Sequence, residues 1–227
     1  MRQLLILLAV SLMLFASCEH DNYSQPESVL SGVVHYNGKP IHVASKQVGM
    51  ELYEHGWDKK HNIGINIDQD GSYSSKLFDG DYQVVLTPGQ GPWKMTQADT
   101  TEVKVNGDTK LDIAVEPYYM VESANFSAAG TTVSGKLTLD QILTGSDARD
   151  IEKVFLYINS TAFVDGNGNN IANSAVLGAD VSSLSDINLQ VEVPELLDAQ
   201  TYIFARFGIK IANTEDMLFS EAVKLDL

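Results

Sequence analysis

The chain has 227 residues, of which 44% are hydrophobic and 20% charged, a balance typical of a globular protein with one large or two ordinary domains. It contains 15 Lys and Arg residues against 30 Asp and Glu residues, which gives a formal net charge of -15. This acidity is spread along the sequence. It argues against binding to nucleic acid, or to an anionic membrane surface, through the body of the protein.

The first 17 residues have the pattern of a signal peptide. Arg2 supplies a positive charge, and the uncharged run Leu4–Phe15 follows it. Such a run is shorter than a membrane-spanning helix and is typical of the apolar part of a signal sequence. Two small residues then precede Cys18, the only cysteine of the chain.

The position of Cys18 resembles that of the acylated cysteine in a bacterial lipobox, where the chain is cut just before the cysteine. The alternative is an ordinary secretory signal in which the cysteine is accidental. Residues 18–27 form a polar spacer, and its Glu19 and Asp21 resemble the acidic export signal of surface-displayed lipoproteins in Bacteroidetes. The sequence therefore predicts an outer-membrane lipoprotein, attached to the membrane through a lipid at Cys18 and exposed at the cell surface.

Beyond the spacer, short alternating runs are separated by turn residues, a pattern typical of β-sandwiches. Predicted strands of a first domain, residues 28–117, lie at 29–36, 47–54, 63–68, 72–78, 81–89, 100–107 and 109–118. Predicted strands of a second domain, residues 118–227, lie at 121–130, 132–140, 151–161, 187–195, 200–212 and 219–227. Residues 165–180 are predicted to form a long loop, and loops of that length are either functional or floppy. The predicted fold class is all-β with two consecutive sandwiches.

Four segments of the first domain resemble the prealbumin-like sandwich, which is also that of carboxypeptidase regulatory domains. They are Gly32-Val33-Val34, Gly38-Lys39-Pro40-Ile41, Asp70-Gly71-Ser72-Tyr73 and Gly80-Asp81-Tyr82. The end of the second domain resembles an immunoglobulin-like or fibronectin-III-like sandwich, with Tyr202 opening its penultimate strand. Signal, spacer and domains in this order resemble a family of Bacteroidetes lipoproteins of uncharacterised function, whose genes often lie beside outer-membrane glycan-import systems. This resemblance implies an accessory role and brings no catalytic or binding residue with it.

Enzymatic signatures are missing from the sequence. It has no nucleophile elbow, Gly-rich phosphate loop or zinc motif, so we expect neither catalysis nor a cofactor. A hydrolase with unrecognised carboxylates remains a further hypothesis, because paired catalytic acids are identified by their separation in space and not by sequence. The histidines of the first domain lack close zinc-type spacing and are expected to be surface residues. They are His35, His42, His55 and His61.

Two Asp-rich turns are candidates for calcium binding. The segment Asp68–Ser72 offers oxygen ligands at alternate positions, and so do Asp165, Asn167 and Asn169. Neither has the Gly and Glu that an EF-hand loop needs at its sixth and twelfth positions. Plain turns, which use the same residue types, are therefore the simpler interpretation, and no metal is predicted.

Two tryptophans and one threonine complete the candidate residues. Trp57 and Trp93 lie in predicted loops, where an exposed indole could stack on a sugar ring, or where both could cap the core instead. Asp99-Thr100-Thr101 resembles a short O-glycosylation motif of Bacteroidetes, with Thr100 as the acceptor. The leading hypothesis is a lipid-anchored accessory protein that binds glycan or supports outer-membrane import proteins. The alternative is a structural or adhesive module that acts through protein contacts at strand edges.

Overall fold

The computed structural model describes residues 24–56, 61–95, 100–195 and 200–227, which form strands, turns and two short 3₁₀ turns. The first domain contains β1 (Ser28–Tyr36), β2 (Lys39–Pro40), β3 (Gly49–Glu54), β4 (Asn62–Asn66), β5 (Ser72–Leu77), β6 (Gly80–Leu86), β7 (Trp93–Lys94), β8 (Thr100–Val105), β9 (Asp108–Lys110), β10 (Ile113–Ala114) and β11 (Glu116–Pro117). The second contains β12 (Tyr119–Ala129), β13 (Thr132–Gln141), β14 (Ile151–Asn159), β15 (Ala172–Leu177), β16 (Ile187–Glu192), β17 (Tyr202–Ile211), β18 (Leu218–Phe219) and β19 (Val223–Asp226). The 3₁₀ turns are Gly145–Asp147 and Gly178–Asp180. The predicted all-β fold with two sandwiches is confirmed.

The first domain packs two sheets against each other. In one sheet β1 is central and pairs with β2, β5, β9 and β10. The other has the order β4-β3-β6-β8, and β7 pairs with β11 in a separate ribbon. Alternate residues of the strands point inward, as period two requires. In β6, for example, Tyr82, Val84 and Leu86 are buried.

The second domain is built in the same way. Its smaller sheet has the order β12-β13-β16, and its larger sheet has the order β15-β14-β17-β18, with β19 also on β17. The core between the two sheets includes Leu137, Leu156 and Phe207, all fully buried. Tyr202 opens β17, as the resemblance to immunoglobulin-like domains implied. The part of the chain that the structure describes has no helix long and apolar enough to cross a membrane.

Two strand predictions were wrong in detail. Residues 165–180 are not one long loop, because β15 lies within them at the edge of the larger sheet. The β15 side chains alternate between half-buried and exposed, and none is fully buried, so the sequence shows no apolar alternation there. The predicted strand 109–118 is divided into β9, β10 and β11, which pair with two different partners. Ile113 and Val115, which alternate with exposed residues in this segment, are nevertheless buried.

A buried arginine of the second domain joins the two domains. Arg206 of β17 is 1% exposed. Its guanidinium donates to two carbonyl oxygens of the first domain, at 3.2 Å for Val43 and 2.7 Å for Gln69. It also donates to the carbonyl oxygens of Val164 at 3.1 Å and Ser220 at 2.7 Å. Burial lowers the pKa of Arg206 to about 10, so the side chain stays charged at neutral pH.

Apolar packing surrounds this arginine. Ala44 of the first domain contacts a cluster on the outer face of the larger sheet that includes Tyr157, Val164 and Phe219. The amide of Phe219 donates to the carbonyl oxygen of His42 at 3.0 Å, which links the domains by a backbone bridge. The outer face of that sheet, normally open to water in a one-domain sandwich, is therefore partly covered.

His42 makes the stability of this interface depend on pH. Burial lowers the pKa of His42 below 6.5, the neighbouring Arg206 lowers it further, and Ser220, Glu221 and Asp70 oppose these effects without cancelling them. The unfolded chain therefore binds a proton before the native protein does as the pH falls below about 6.5. We expect the free energy of unfolding, measured by urea denaturation, to fall more steeply between pH 7.5 and 5.5 in wild type than in His42→Gln. Equal losses in the two proteins would contradict this prediction.

Candidate functional site

One cleft among the described residues lies where the two domains meet. It has a volume of about 370 Å³ and is formed by segment 89–95 of the first domain, which includes β7, and by loop segments 146–149 and 213–214 of the second. The second and third segments follow β13 and β17, so they occupy the places of the B–C and F–G loops of an immunoglobulin-like sandwich. Those loops belong to the end of the sandwich that binds antigen in variable domains. We call this space the junction cleft.

Two aromatic residues form the floor of the junction cleft. Trp93 is 3% exposed and pairs with Pro117 in the β7–β11 ribbon. Tyr118, which connects the two domains, is 4% exposed. Gly91 lies flat against the indole, since a Cβ atom added to it would be 2.3 Å from Trp93 Cε2. The amide of Gly91 donates to Asp216 Oδ2 at 2.8 Å, which fixes the first-domain loop to the second domain.

Charged side chains form the wall of the cleft. The Arg149 guanidinium lies 4.5 Å from the centre of the Tyr118 ring, a cation–π arrangement. One of its nitrogens donates to the carbonyl oxygen of Asn213. Lys94 Nζ lies 2.7 Å from Asp147 Oδ2, and this hydrogen bond raises the pKa of Lys94. The planar guanidinium is therefore held in place with part of its donor set facing a concave surface.

The two tryptophans do not behave as one exposed pair. Trp57 lies outside the described residues. Trp93 belongs to the junction cleft, but its ring is buried and offers no open face for stacking on a sugar, so the alternative that it caps the core describes it better. An exposed aromatic that the sequence did not single out is Phe163, with 52% of its surface accessible.

The Asp165 turn is organised by hydrogen bonds between its own residues. Asp165 is 1% exposed; its carboxylate accepts from the Asn167 amide at 2.7 Å and from Asn169 Nδ2 at 2.8 Å. The side chain of Asn170 donates to the Asp165 carbonyl oxygen at 2.9 Å. With both carboxylate oxygens accepting from the chain, the geometry is that of a turn.

The Asp68–Ser72 turn has the same character. The hydroxyl of Ser72 donates to Asp70 Oδ1 at 2.6 Å, and the Ser72 amide donates to the same atom at 3.0 Å. Burial acts to raise the pKa of Asp70, but these hydrogen bonds outweigh it and the pKa is lowered. Among the described residues, no group of three or more His, Cys, Asp and Glu side chains could hold a metal ion.

The histidines are dispersed. His35 Nδ1 accepts from the Gly38 amide at 3.1 Å, His55 Nε2 is 2.7 Å from Glu102 Oε2, and His61 is exposed. His42 differs from the surface position expected for it, because the second domain covers it.

The residues predicted for export and modification are mostly beyond the described ranges. Cys18, Glu19, Asp21 and Asp99 lie outside them, so those predictions stand as predictions. Thr100 is exposed at the first position of β8, where its hydroxyl is accessible.

Most residues of the junction cleft were not predicted, because four separate parts of the chain supply them. Trp93 was singled out for its residue type, whereas Tyr118, Arg149 and Asn213 carry no motif. The order of the domains was the one sequence feature that pointed to these residues. Tyr118 lies at the predicted domain boundary, and the B–C loop follows the second predicted strand of the second domain.

Two models of one protein family match the chain. A model described as the N-terminal domain of a protein of unknown function, DUF3823, matches residues 28–116, and a model described as a domain of unknown function, DUF3823_C, matches residues 119–224. No curated protein matches the sequence.

Three solved structures cover nearly the whole described chain. A DUF3823 family protein from Bacteroides ovatus is 28% identical, with a TM-score of 0.79 over 88% of this chain and 99% of that one. One from Parabacteroides merdae is 26% identical, with a TM-score of 0.79 over 89% and 100%. A candidate carbohydrate binding protein from Bacteroides uniformis is 17% identical, with a TM-score of 0.71 over 89% and 100%, and this likeness shows the fold alone.

Proposed function

Because this chain belongs to the DUF3823 family, whose function is unknown, we propose that it is a non-enzymatic glycan-binding accessory protein, held at the outer membrane by a lipid on Cys18. The observation that carries the proposal is the junction cleft, in which Arg149, Asp147 and Lys94 stand over a floor of Trp93 and Tyr118. Its binding partners would be a glycan and the outer-membrane proteins that import it.

Sugar recognition suits this combination of side chains. Ligand sites are concave, of roughly 300–1,000 Å³, and lined by apolar groups with a few polar groups that fix orientation. Sugar hydroxyls both donate and accept, so they can accept from the Arg149 guanidinium and donate to the Asp147 carboxylate. The Bacteroides uniformis relative described as a candidate carbohydrate binding protein has the same fold, which is consistent with this proposal.

The junction cleft is less suited to catalysis than to binding. Glycosidases generally need two carboxyl groups that flank the scissile bond. Among the described residues that line the junction cleft, Asp147 is the one carboxylate, and Lys94 holds it in an ion pair. This arrangement supports a binding role.

Arg149→Ala tests the glycan-binding proposal. It removes the cationic donor from the wall of the cleft, and we expect the dissociation constant for a glycan identified on an array to rise about 10- to 100-fold by titration calorimetry, as for hydrogen bonds to a charged group. Lys136→Ala is the control, because it removes an equal charge from the Lys136–Asp186 pair elsewhere on the surface. Equal affinity of wild type and Arg149→Ala would reject the cleft as the glycan site.

The lipid anchor is tested separately. Acyl chains contribute about 0.8 kcal/mol for each buried CH₂, so stable anchoring takes more than one chain. Residues 18–27 would then span at most about 36 Å between the membrane and β1. We expect labelled palmitate to be incorporated into the wild-type chain in cells and to be absent from Cys18→Ala. Label that persists in Cys18→Ala would refute the anchor.

One observation favours the second candidate function, a structural or adhesive module. Strand β4 lies at the end of its sheet, and its Ile63 is 37% exposed. Unpaired edges can add a strand from another chain. This function predicts concentration-dependent oligomers that Ile63→Lys abolishes. A protein that stays monomeric in analytical ultracentrifugation, at every concentration tested, would argue against it.

A further inference from the structure

A second groove lies in the second domain, between the start of β14 and the turn that follows β15. It has a volume of about 640 Å³ and shares no lining residue with the junction cleft. Its lining includes the buried ring of Tyr119 and four aliphatic side chains, those of Ile151, Leu177, Val181 and Leu184. We call this space the second-domain groove.

The walls of the second-domain groove are fixed by contacts within the chain. The carbonyl oxygen of Leu184 accepts from the Leu139 amide at 2.8 Å, which ties one wall to β13. Gly178 rests on the start of β14, since a Cβ atom added to it would be 1.6 Å from the carbonyl oxygen of Ile151. The groove is therefore formed before anything binds, as ligand sites usually are.

The apolar side chains of the groove are open to water. Leu177 is 53% exposed, the highest value among the large apolar side chains of the described residues. Ile151, Val181 and Leu184 are half-buried. Contiguous apolar surface of this kind, with polar residues at its rim, marks an interaction site more often than isolated exposed side chains do.

The charges at the rim are all negative. Asp150 and Glu152 line the groove, and no Lys, Arg or His side chain of the described ranges does. Neither carboxylate belongs to an ion pair in the part of the chain that the structure describes. Lys153 is the register partner of Leu177, but its Nζ lies over the Phe155 ring, 5.4 Å from the ring centre. A cation of a partner would therefore meet two carboxylates without a competing base of the chain.

This lining suits a peptide better than a sugar. A sugar needs donors as well as acceptors, but the Tyr119 hydroxyl already donates to the Arg149 carbonyl oxygen at 2.8 Å. The Gln141 amide likewise donates to the Leu143 carbonyl oxygen at 3.2 Å. A Lys or Arg side chain combines an apolar stem with a cationic head, and so matches an aliphatic groove with an acidic rim.

We propose that the second-domain groove binds a peptide segment of a partner protein, in which a Lys or Arg stands close to a large aliphatic or aromatic residue. The basic side chain pairs with Asp150 and Glu152, and the apolar one packs against Leu177 and its aliphatic neighbours. This inference is independent of the glycan-binding function and of the junction cleft.

Selection from a random dodecapeptide library displayed on phage tests the chemistry of the ligand. The mature chain is the target, at 50 mM NaCl, where charge effects are weakly screened. We expect the enriched peptides to combine Lys or Arg with Leu, Ile, Met or Phe. Absence of enrichment, or enriched peptides that lack a basic residue, overturns the proposal.

Leu177→Asp tests the place of binding. We expect the dissociation constant of the best enriched peptide, measured by fluorescence anisotropy, to rise at least about tenfold, because the variant places a charge on the apolar surface. Phe163→Asp is the control, since Phe163 is 52% exposed and follows the other end of β14. An unchanged affinity in Leu177→Asp, or an equal loss in Phe163→Asp, overturns the assignment. A neutral glucose or mannose hexasaccharide that displaces the peptide assigns the groove to sugar and also overturns it.

The double variant Asp150→Asn, Glu152→Gln tests the acidic rim while keeping the shape of both side chains. We expect the affinity for the same peptide to fall about tenfold at 50 mM NaCl and much less at 500 mM NaCl, because salt already screens the charges there. The control is Glu27→Gln with Asp108→Asn, an equal change of charge at exposed residues of the first domain. Equal losses in the two double variants would show that the net charge of the chain, and not the rim, attracts the peptide, and would overturn the proposal.

Discussion

Replacing Arg206 by methionine is expected to lower the free energy of unfolding by about 3–5 kcal/mol, because each buried carbonyl oxygen left without a donor costs about 1–3 kcal/mol. Methionine has similar length but no donors, so four carbonyl oxygens lose their hydrogen bonds. They belong to Val43, Gln69, Val164 and Ser220. Because two of these are in the first domain, unfolding in guanidinium chloride should also separate into two transitions.

Lys224→Met is the matched control for this measurement. Lys224 lies on β19 of the same sheet, its side chain is exposed, and its Nζ is 4.0 Å from Asp226 Oδ1. Exposed pairs of this kind contribute about 0–1 kcal/mol. Arg206→Lys keeps the charge and loses the planar guanidinium. Its free energy of unfolding should therefore lie between those of wild type and Arg206→Met. If Arg206→Met loses no more stability than Lys224→Met, the arginine does not hold the domains together.

Gly32→Ala is expected to destabilise the first domain by about 3 kcal/mol, at the upper end of the usual cost of overpacking. A Cβ atom at Gly32 would lie 1.8 Å from the carbonyl oxygen of Leu111, a backbone atom that cannot swing aside. The Leu111 amide is itself bonded to the Ser31 carbonyl oxygen at 2.8 Å, so relief of the overlap would break the β1 pairing.

Gly64→Ala provides the comparison on another strand of the same domain. Gly64 of β4 has open space where its Cβ would lie. Alanine at such a site reduces the entropy of the unfolded chain and changes stability by less than about 1 kcal/mol. The midpoints of chemical denaturation of Gly32→Ala and Gly64→Ala should therefore differ widely. Equal midpoints would show that the close approach at Gly32 is not a constraint.

Period-two alternation was sufficient to predict most strands of this fold. In β17 the alternation of Ile203, Ala205, Phe207 and Ile209 marks the buried face correctly. Strand β15 was missed because it lies at a sheet edge and buries no side chain fully. An edge strand of this kind has polar and small residues that read as a loop.

The role of Arg206 could not be predicted from the sequence. The alternation of apolar and polar residues along a strand indicates which face of its own sheet is buried, but not what packs on the other face. Its position in β17 places it on the outer face, where an arginine normally meets water. The first domain covers the part of that face around Arg206, so the side chain is 1% exposed and donates to carbonyl oxygens of both domains.

The junction cleft is a consequence of the same docking. Trp93 was expected from its residue type, but its burial follows from the β7–β11 ribbon and Gly91. Arg149 and Asn213 come from loops more than 60 residues apart in sequence, and the sequence shows no pattern that links them. Tyr118 becomes part of the floor because the chain passes between the domains there.

A structure of the mature chain with a bound oligosaccharide tests the central claim most directly. We expect the sugar in the junction cleft, with hydroxyl groups at hydrogen-bonding distance from the Arg149 guanidinium. A sugar bound elsewhere, for example on the exposed Phe163 or along β4, with the junction cleft filled by water alone, would contradict the account.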